Sequence, residues 1–203
     1  MSPDTPVGRD TLFTGARIVG AGVDLVGDLL VRGGLIADFG LALGRPDGAE
    51  VIDGRDLVLC PGLVDMRAAL GEPGYEYRET IESAAVAAAA GGITTLAALP
   101  DTRPAIDDPA LVHTLRSRGE ATGSLSILPY GAVTRGCRGE ELSEIGLLRE
   151  AGAVAFTDGT KAVASSYMMR VALSYARGFG ARIIQHPEDP SLAAGGCGRG
   201  AAS

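Results

Sequence analysis

The sequence predicts an α/β fold entered through a small β subdomain, and three observations predict it. Up to about position 60 the apolar residues come in short runs broken by Gly, Asp and Pro; beyond it, short unalternating apolar runs take turns with helical stretches; and two of those stretches carry recognisable end signals. With 46% apolar residues among 203, the chain has the material for a buried core in one or two domains.

Residues 1–60 supply the first part. The runs "ARIVG", "DLLVRGGLIADFG" and "EVIDGRDLVL" are punctuated as hairpins are, and no Ala- or Leu-rich helical spacing intervenes. From position 61 to 190 the rhythm changes. The strand "GLVDM" is followed by a helix over "YRETIESAAVAAAAGG", then by the strand "ITTLAAL" and a helix through "IDDPALVHTLRSRGE". "SLSILPY", the helical "GEELSEIGLLREAGA", "VAFTD", the helical "SSYMMRVALSYARGFG" and "ARIIQH" complete the series, so that four helices separate five strands. Gly91 and Gly92 suit a helix C-terminus, and Asp107-Asp108-Pro109 suits an N-cap followed by Pro in the first turn. Strands that are apolar without alternation belong to a parallel sheet covered on both faces. Repeated βα units form either a barrel or an open sheet. The 143 residues after position 60 are too few for a complete eight-stranded barrel, which takes ~250 residues. Eight of the last thirteen residues, 191–203, are Gly or Ala, which reads as a low-complexity tail and predicts a fragment or a prematurely terminated product.

Composition excludes several functions. A net charge of -7 argues against nucleic acid and anionic membrane as partners, since both need clustered cations. Basic residues are almost all Arg, with Lys161 the one lysine, a bias of composition more than a signal. Cys60, Cys137 and Cys197 are far apart, odd in number and without CxxC spacing, so they suggest neither a disulfide framework nor a zinc knuckle. No signal-peptide pattern opens the chain and no run reaches the ~18 apolar residues of a membrane span, so a cytoplasmic location is expected.

In βα architectures, chemistry gathers where strands end. Those ends are "DMRAALGEPG", "LPDTRP", "LPYGAVT", "FTDGTK" and "QHPED". Together "PGLVDMRAALGEPG", "GGITTLAALPDTRPAIDD", "IGLLREAGAVAFTDGT" and "IIQHPEDPSLAAGG", in this order and spacing, resemble the dihydroorotases of the amidohydrolase superfamily, in the longer type associated with aspartate transcarbamoylase. The resemblance covers roughly residues 12–196. It implies a β-sandwich-like flanking domain (1–60), a partial (β/α)8, TIM-like barrel of about five βα strands (61–190), and a zinc-dependent hydrolysis of a cyclic amide in pyrimidine biosynthesis. Such chemistry uses a metal-activated water.

Carried over residue by residue, the resemblance also counts losses. The His-x-His pair expected at the end of the first strand falls on Arg67 and Ala69. A guanidinium has no usable lone pair and a methyl has no donor atom, so neither ligates. The arginine expected to bind the substrate carboxylate falls on Gly71, and the substrate-binding asparagine on Asp101, whose charge repels an anion. Asp158 and His186 match metal-ligand positions; the remaining histidine and the catalytic aspartate of the family would lie beyond Ser203. No catalytic residue is assigned, and tight zinc binding is not expected.

Plainer readings stand beside these. Asp158 before Gly159 has the look of a turn residue, Lys161 of a solvated lysine more than a carbamylated ligand, His113 of a residue on an outer helix, and Cys60 of a small buried one. Arg67 is expected to pair with Asp158 in place of the lost metal, because a buried charge needs a partner. The expected function is therefore that of a dihydroorotase-like protein, catalytically inactive, with a structural role toward aspartate transcarbamoylase and a tendency to homo-oligomerise. Its rivals are an active cyclic-amide hydrolase using a different ligand set, and a non-functional truncated product.

Overall fold

Two-residue turns organise the start of the chain. In the computed structural model, which describes residues 9–193, β1 (Thr11–Gly20) turns through Ala21 and Gly22 into β2 (Val23–Arg32), and Gly33-Gly34 leads into β3 (Leu35–Gly40). Both turns hold two residues at positive φ, 44° and 85° in the first, 58° and 78° in the second, the backbone that matches the twist of a hairpin. The two hairpins expected there form. β4 (Glu50–Asp53) and β5 (Val58–Leu59) do not continue the meander: both pair parallel with β1, giving a sheet ordered β3-β2-β1-β4 with β5 also on β1. Leu12, Ala16, Ile18, Leu29 and Leu30 of the sheet and Ala49 just before β4 are the buried apolar side chains there. A bulge in β1 is fixed by Asp28, which accepts from Gly15 N at 2.9 Å and from Leu43 N at 2.9 Å.

The chain divides into two units, the first ending at Pro61 and the second beginning at Gly62. In the second, β6 (Leu63–Ala68), β7 (Ile93–Ala98) and β8 (Ser126–Pro129) form a parallel sheet in that order. Helix α1 (Ile81–Ala90) connects the first pair and α2 (Pro109–Ala121) the second. Thr80 caps α1, its hydroxyl accepting from Ser83 N at 3.2 Å; Asp108 caps α2, accepting from Ala110 N at 2.7 Å, with Pro109 in the first turn. A short α3 (Ile145–Glu150), then α4 (Ser166–Arg177) capped by Ser165, and a final turn α5 (Pro190–Ala193) follow.

The expected fourth and fifth strands shrink to single bridges. Phe156 bridges Gly131 on one side and Ile183 on the other, both in parallel sense. The main chain still carries the sheet direction: Phe156 N donates to Arg182 O at 2.9 Å and Ile184 N to Phe156 O at 2.8 Å. Two residues on, the chain turns at Asp158, where Lys161 N donates to the Asp158 carbonyl at 3.2 Å, and the ladder stops. The main apolar cluster of the unit runs from Ile81 and Ala85 of α1 through Val112 and Leu115 of α2 to Leu148, Phe156 and Ala172, with smaller clusters around Tyr130 and around Ala132. Most of the 191–203 tail, with Cys197, lies outside the described residues.

Candidate functional site

Strand ends concentrate the polar residues of the second unit. Asp101 follows β7, Thr134 and Cys137 follow β8, and Asp158 and Thr160 follow the Phe156 bridge. Asp158 is only 2% exposed. Its Oδ1 accepts from Thr134 N at 2.9 Å and its Oδ2 from Thr134 Oγ1 at 2.5 Å. Thr134 Oγ1 in turn accepts from Gly139 N at 2.8 Å, which leaves its own proton directed at the carboxylate. Burial pushes the Asp158 pKa above the ordinary carboxylate value, against the lowering effect of the Thr134 bonds and the Lys161 charge.

That shift has a pH signature. A carboxyl that binds its proton more tightly folded than unfolded contributes stability in acid, and loses it as pH rises from the ordinary value of 3.8 through the raised folded value. Asp158→Asn does not titrate. The wild type should therefore lose stability relative to Asp158→Asn as pH rises above 3.8, as read from urea midpoints at each pH; a gap that stays flat or moves the other way rules out the raised pKa.

The expected partnership of Arg67 with Asp158 does not form. Arg67 is exposed on β6, its backbone N donates to Asp65 Oδ1 at 2.8 Å, and no ion pair to its side chain exists among the described residues. Thr134 supplies what Asp158 needs, with two directed donors from the adjacent loop. Ala69 is exposed as well. Gly71 is buried, and a Cβ there would come within 2.4 Å of Glu79 O and 2.6 Å of Tyr75 O, so no arginine fits that position. Asp101 does not stand free: Thr160 donates to its Oδ2 from N at 3.1 Å and from Oγ1 at 2.6 Å.

His186 lies three residues beyond the Ile183 bridge and is partly buried. Its Nε2 is 3.5 Å from Glu188 Oε2, and its Nδ1 is buried without a hydrogen-bond partner among the described residues. No hydrogen bond joins it to Asp158 there. Among the described residues, no group of three or more His, Cys, Asp or Glu is placed to hold a metal ion. Cys137 is buried beside this cluster, and burial, reinforced by the Asp158 charge, pushes its thiol up to about 12. A thiol so protonated is neither nucleophile nor ligand. Cys60, expected inside, is exposed, and His113 is exposed on α2. Thr134 and Thr160 escaped the sequence reading; the one signal available was a threonine in each strand-end loop, "GAVT" and "FTDGT".

The family described as dihydro-orotase-like matches residues 56–200. The chain is 42% identical over 187 residues to a dihydroorotase of Geobacter metallireducens, covering 91% of this chain and 44% of that protein. It is 46% identical over 171 residues to one of Pelobacter propionicus, covering 84% and 40%. It thus spans less than half the length of the curated relatives it matches. Among solved structures, an L-hydantoinase (dihydropyrimidinase) of Arthrobacter aurescens superposes with a TM-score of 0.74 at 21% identity, over 91% of this chain and 42% of that one. A D-hydantoinase superposes at 0.71 and 23% identity, over 89% and 40%. These two likenesses concern the fold. No helix among the described residues is long and apolar enough to cross a membrane.

Proposed function

The chain belongs to the dihydroorotase-like family, and from that premise we propose that it keeps the family's framework without the hydrolytic centre. The framework is a partial (β/α)8 barrel of about five βα units over residues 61–190, preceded by the β subdomain of residues 1–60. Its role is structural, in pyrimidine biosynthesis in the cytoplasm, as a partner of aspartate transcarbamoylase, alone or as a homo-oligomer.

One observation carries the reading: Arg67 and Ala69 stand exposed at and just after the end of β6, where the resemblance expects two imidazoles. The zinc of the family does not fit the donors that remain. A catalytic zinc takes three protein ligands. Of the family ligand positions within residues 61–190, Arg67 and Ala69 offer no donor atom for a metal, and both oxygens of Asp158 already accept from Thr134. Zinc would supply an activated water and polarise the amide; Arg67, Ala69 and Gly71 can neither bind it nor hold an anionic substrate as the family does.

Purified protein should carry far less than one zinc per chain, hydrolyse no dihydroorotate above background, and co-elute with aspartate transcarbamoylase in gel filtration. Metal analysis, turnover and co-elution measure the three, and stoichiometric zinc with turnover would overturn the proposal. A second reading, an active cyclic-amide hydrolase with another ligand set, draws on His186, whose buried Nδ1 lacks a hydrogen-bond partner among the described residues.

A further inference from the structure

The parallel sheet of the second unit ends in two open edges. Beyond β8 it runs on through Gly131 and Phe156 to Ile183, so that β6 is its first member and residues 182–185 its last. Among the described residues β6 pairs with β7 alone, and nothing pairs with the far side of 182–185. Phe156 takes up Arg182 O and Ile184 N; backbone alternation turns the N–H and C=O of Ile183 the other way, where neither finds a partner among the described residues. Both edges are apolar. Leu63, Val64 and Met66 of β6 are exposed, Met66 by 70%, and on the opposite edge Ile184 is exposed with Ile183 half-buried before it. The edges also carry opposite charges. The Asp65 carboxylate on β6 accepts from Arg67 N and meets no cationic side chain among the described residues, and Arg182 on the other edge is exposed and makes no ion pair there.

We infer that a second copy of this chain covers these edges, β6 of each protomer lying parallel beside residues 182–185 of the other. Unpaired backbone flanked by apolar side chains is a template for another strand. All members of the sheet run in one direction, so the two edges can meet only in parallel sense, and a two-fold axis along the strands supplies that sense at both junctions at once. The ring then closes with no edge left over. Pairing β6 with a second β6 would need antiparallel strands and would leave 182–185 open. A register that sets Asp65 beside Arg182 also sets Val64 beside Ala181, Met66 beside Ile183 and Arg67 beside Ile184, so that opposite charges and apolar side chains match in one alignment. The inference gives a surface to the homo-oligomer proposed above and rests on that reading; it depends neither on zinc nor on aspartate transcarbamoylase.

Sedimentation of the full chain over a wide range of concentration should show a monomer–dimer equilibrium that stops at the dimer. Met66→Lys puts a charge on an exposed edge position and should raise the dissociation constant at least about tenfold, with the unfolding temperature of the dilute monomer unchanged. Asp65→Arg and Arg182→Asp each set like charges at both junctions, and each alone should weaken the dimer as much. Mixed in equal amounts, these two variants restore opposite charges at both junctions, so a mixed dimer should form; its recovery also shows that both are folded. Arg45→Asp, on the exposed surface of the first unit, should associate as the wild type does. A wild-type chain that stays monomeric, even one that co-elutes with aspartate transcarbamoylase, overturns the inference and leaves the structural role standing. A dimer that Met66→Lys and both charge reversals leave intact lies on another surface and overturns the edge pairing alone. Growth past the dimer overturns the closed ring, and failure of the mixed variants to associate overturns the Asp65–Arg182 register.

Discussion

Phe156→Ala should lower the stability of the second unit by about 3–5 kcal/mol, the largest loss expected of any single core substitution here. Phe156 is fully buried, and its main chain forms the bridges to Gly131 and Ile183 that prolong the sheet beyond β8. The ring lies where a Cβ on Gly131 would be, 2.7 Å from that ideal position, with a Leu148 methyl 3.3 Å from the same point. Gly131 has no side chain with which to fill the space, so truncation leaves a cavity that the neighbours close only by moving backbone. Phe156→Leu, which keeps most of the volume, should cost less than ~1.5 kcal/mol. The measurement is clean because all five tyrosines, from Tyr75 to Tyr175, lie in the second unit, and the chain has no tryptophan. Urea unfolding followed by tyrosine emission therefore reports that unit alone. Equal losses for Ala and Leu would show that the ring's volume is not what Phe156 contributes.

The same residue marks where sequence reasoning stopped. Three of the five strands expected after position 60 are present because their apolar runs are flanked by strong helix signals, such as the Asp108 cap with Pro109. "VAFTD" has equal apolar character, but it is followed by Asp158, whose backbone turns and whose carboxylate is drawn to Thr134. Pairing length depends on that long-range attraction, which no local pattern encodes. The parallel pairing of β4 and β5 on β1 was hidden in the same way, since short runs between turn residues read as hairpins whatever their partners.

The strand-end positions were legible in the sequence, and the partners of the residues there were not. Strand ends placed Asp101, Asp158 and His186 at the loops where they stand. Partners are another matter: Arg67 was expected to pair with Asp158, and a hydroxyl and an amide from one residue, Thr134, hydrogen-bond to its oxygens instead. Directed donors satisfy a buried carboxylate without burying a second charge, which avoids a further desolvation cost. Cys60, a small residue before proline, carried no signal that separated buried from exposed.

Arg118→Ala should cost the second unit about 2–3 kcal/mol. Glu72, in the "EPG" loop after β6, is 8% exposed and accepts from Ile81 N at 3.1 Å, at the first residue of α1. Arg118 of α2 forms an ion pair with it and donates from Nη2 to Glu82 at 2.8 Å, tying the loop and α1 to α2. Removing the guanidinium leaves a buried carboxylate with one backbone donor, a loss of 3–5 kcal/mol for a fully buried pair. The smaller figure follows from the Arg118 side chain, which is 39% exposed, so that water screens part of the charge. Glu72→Gln keeps an oxygen for Ile81 N and removes the charge; in that background Arg118→Ala should cost under ~1 kcal/mol, giving a coupling of at least ~1 kcal/mol in a double-mutant cycle. Additive losses would mean that Arg118 acts through Glu82 or through its stem alone.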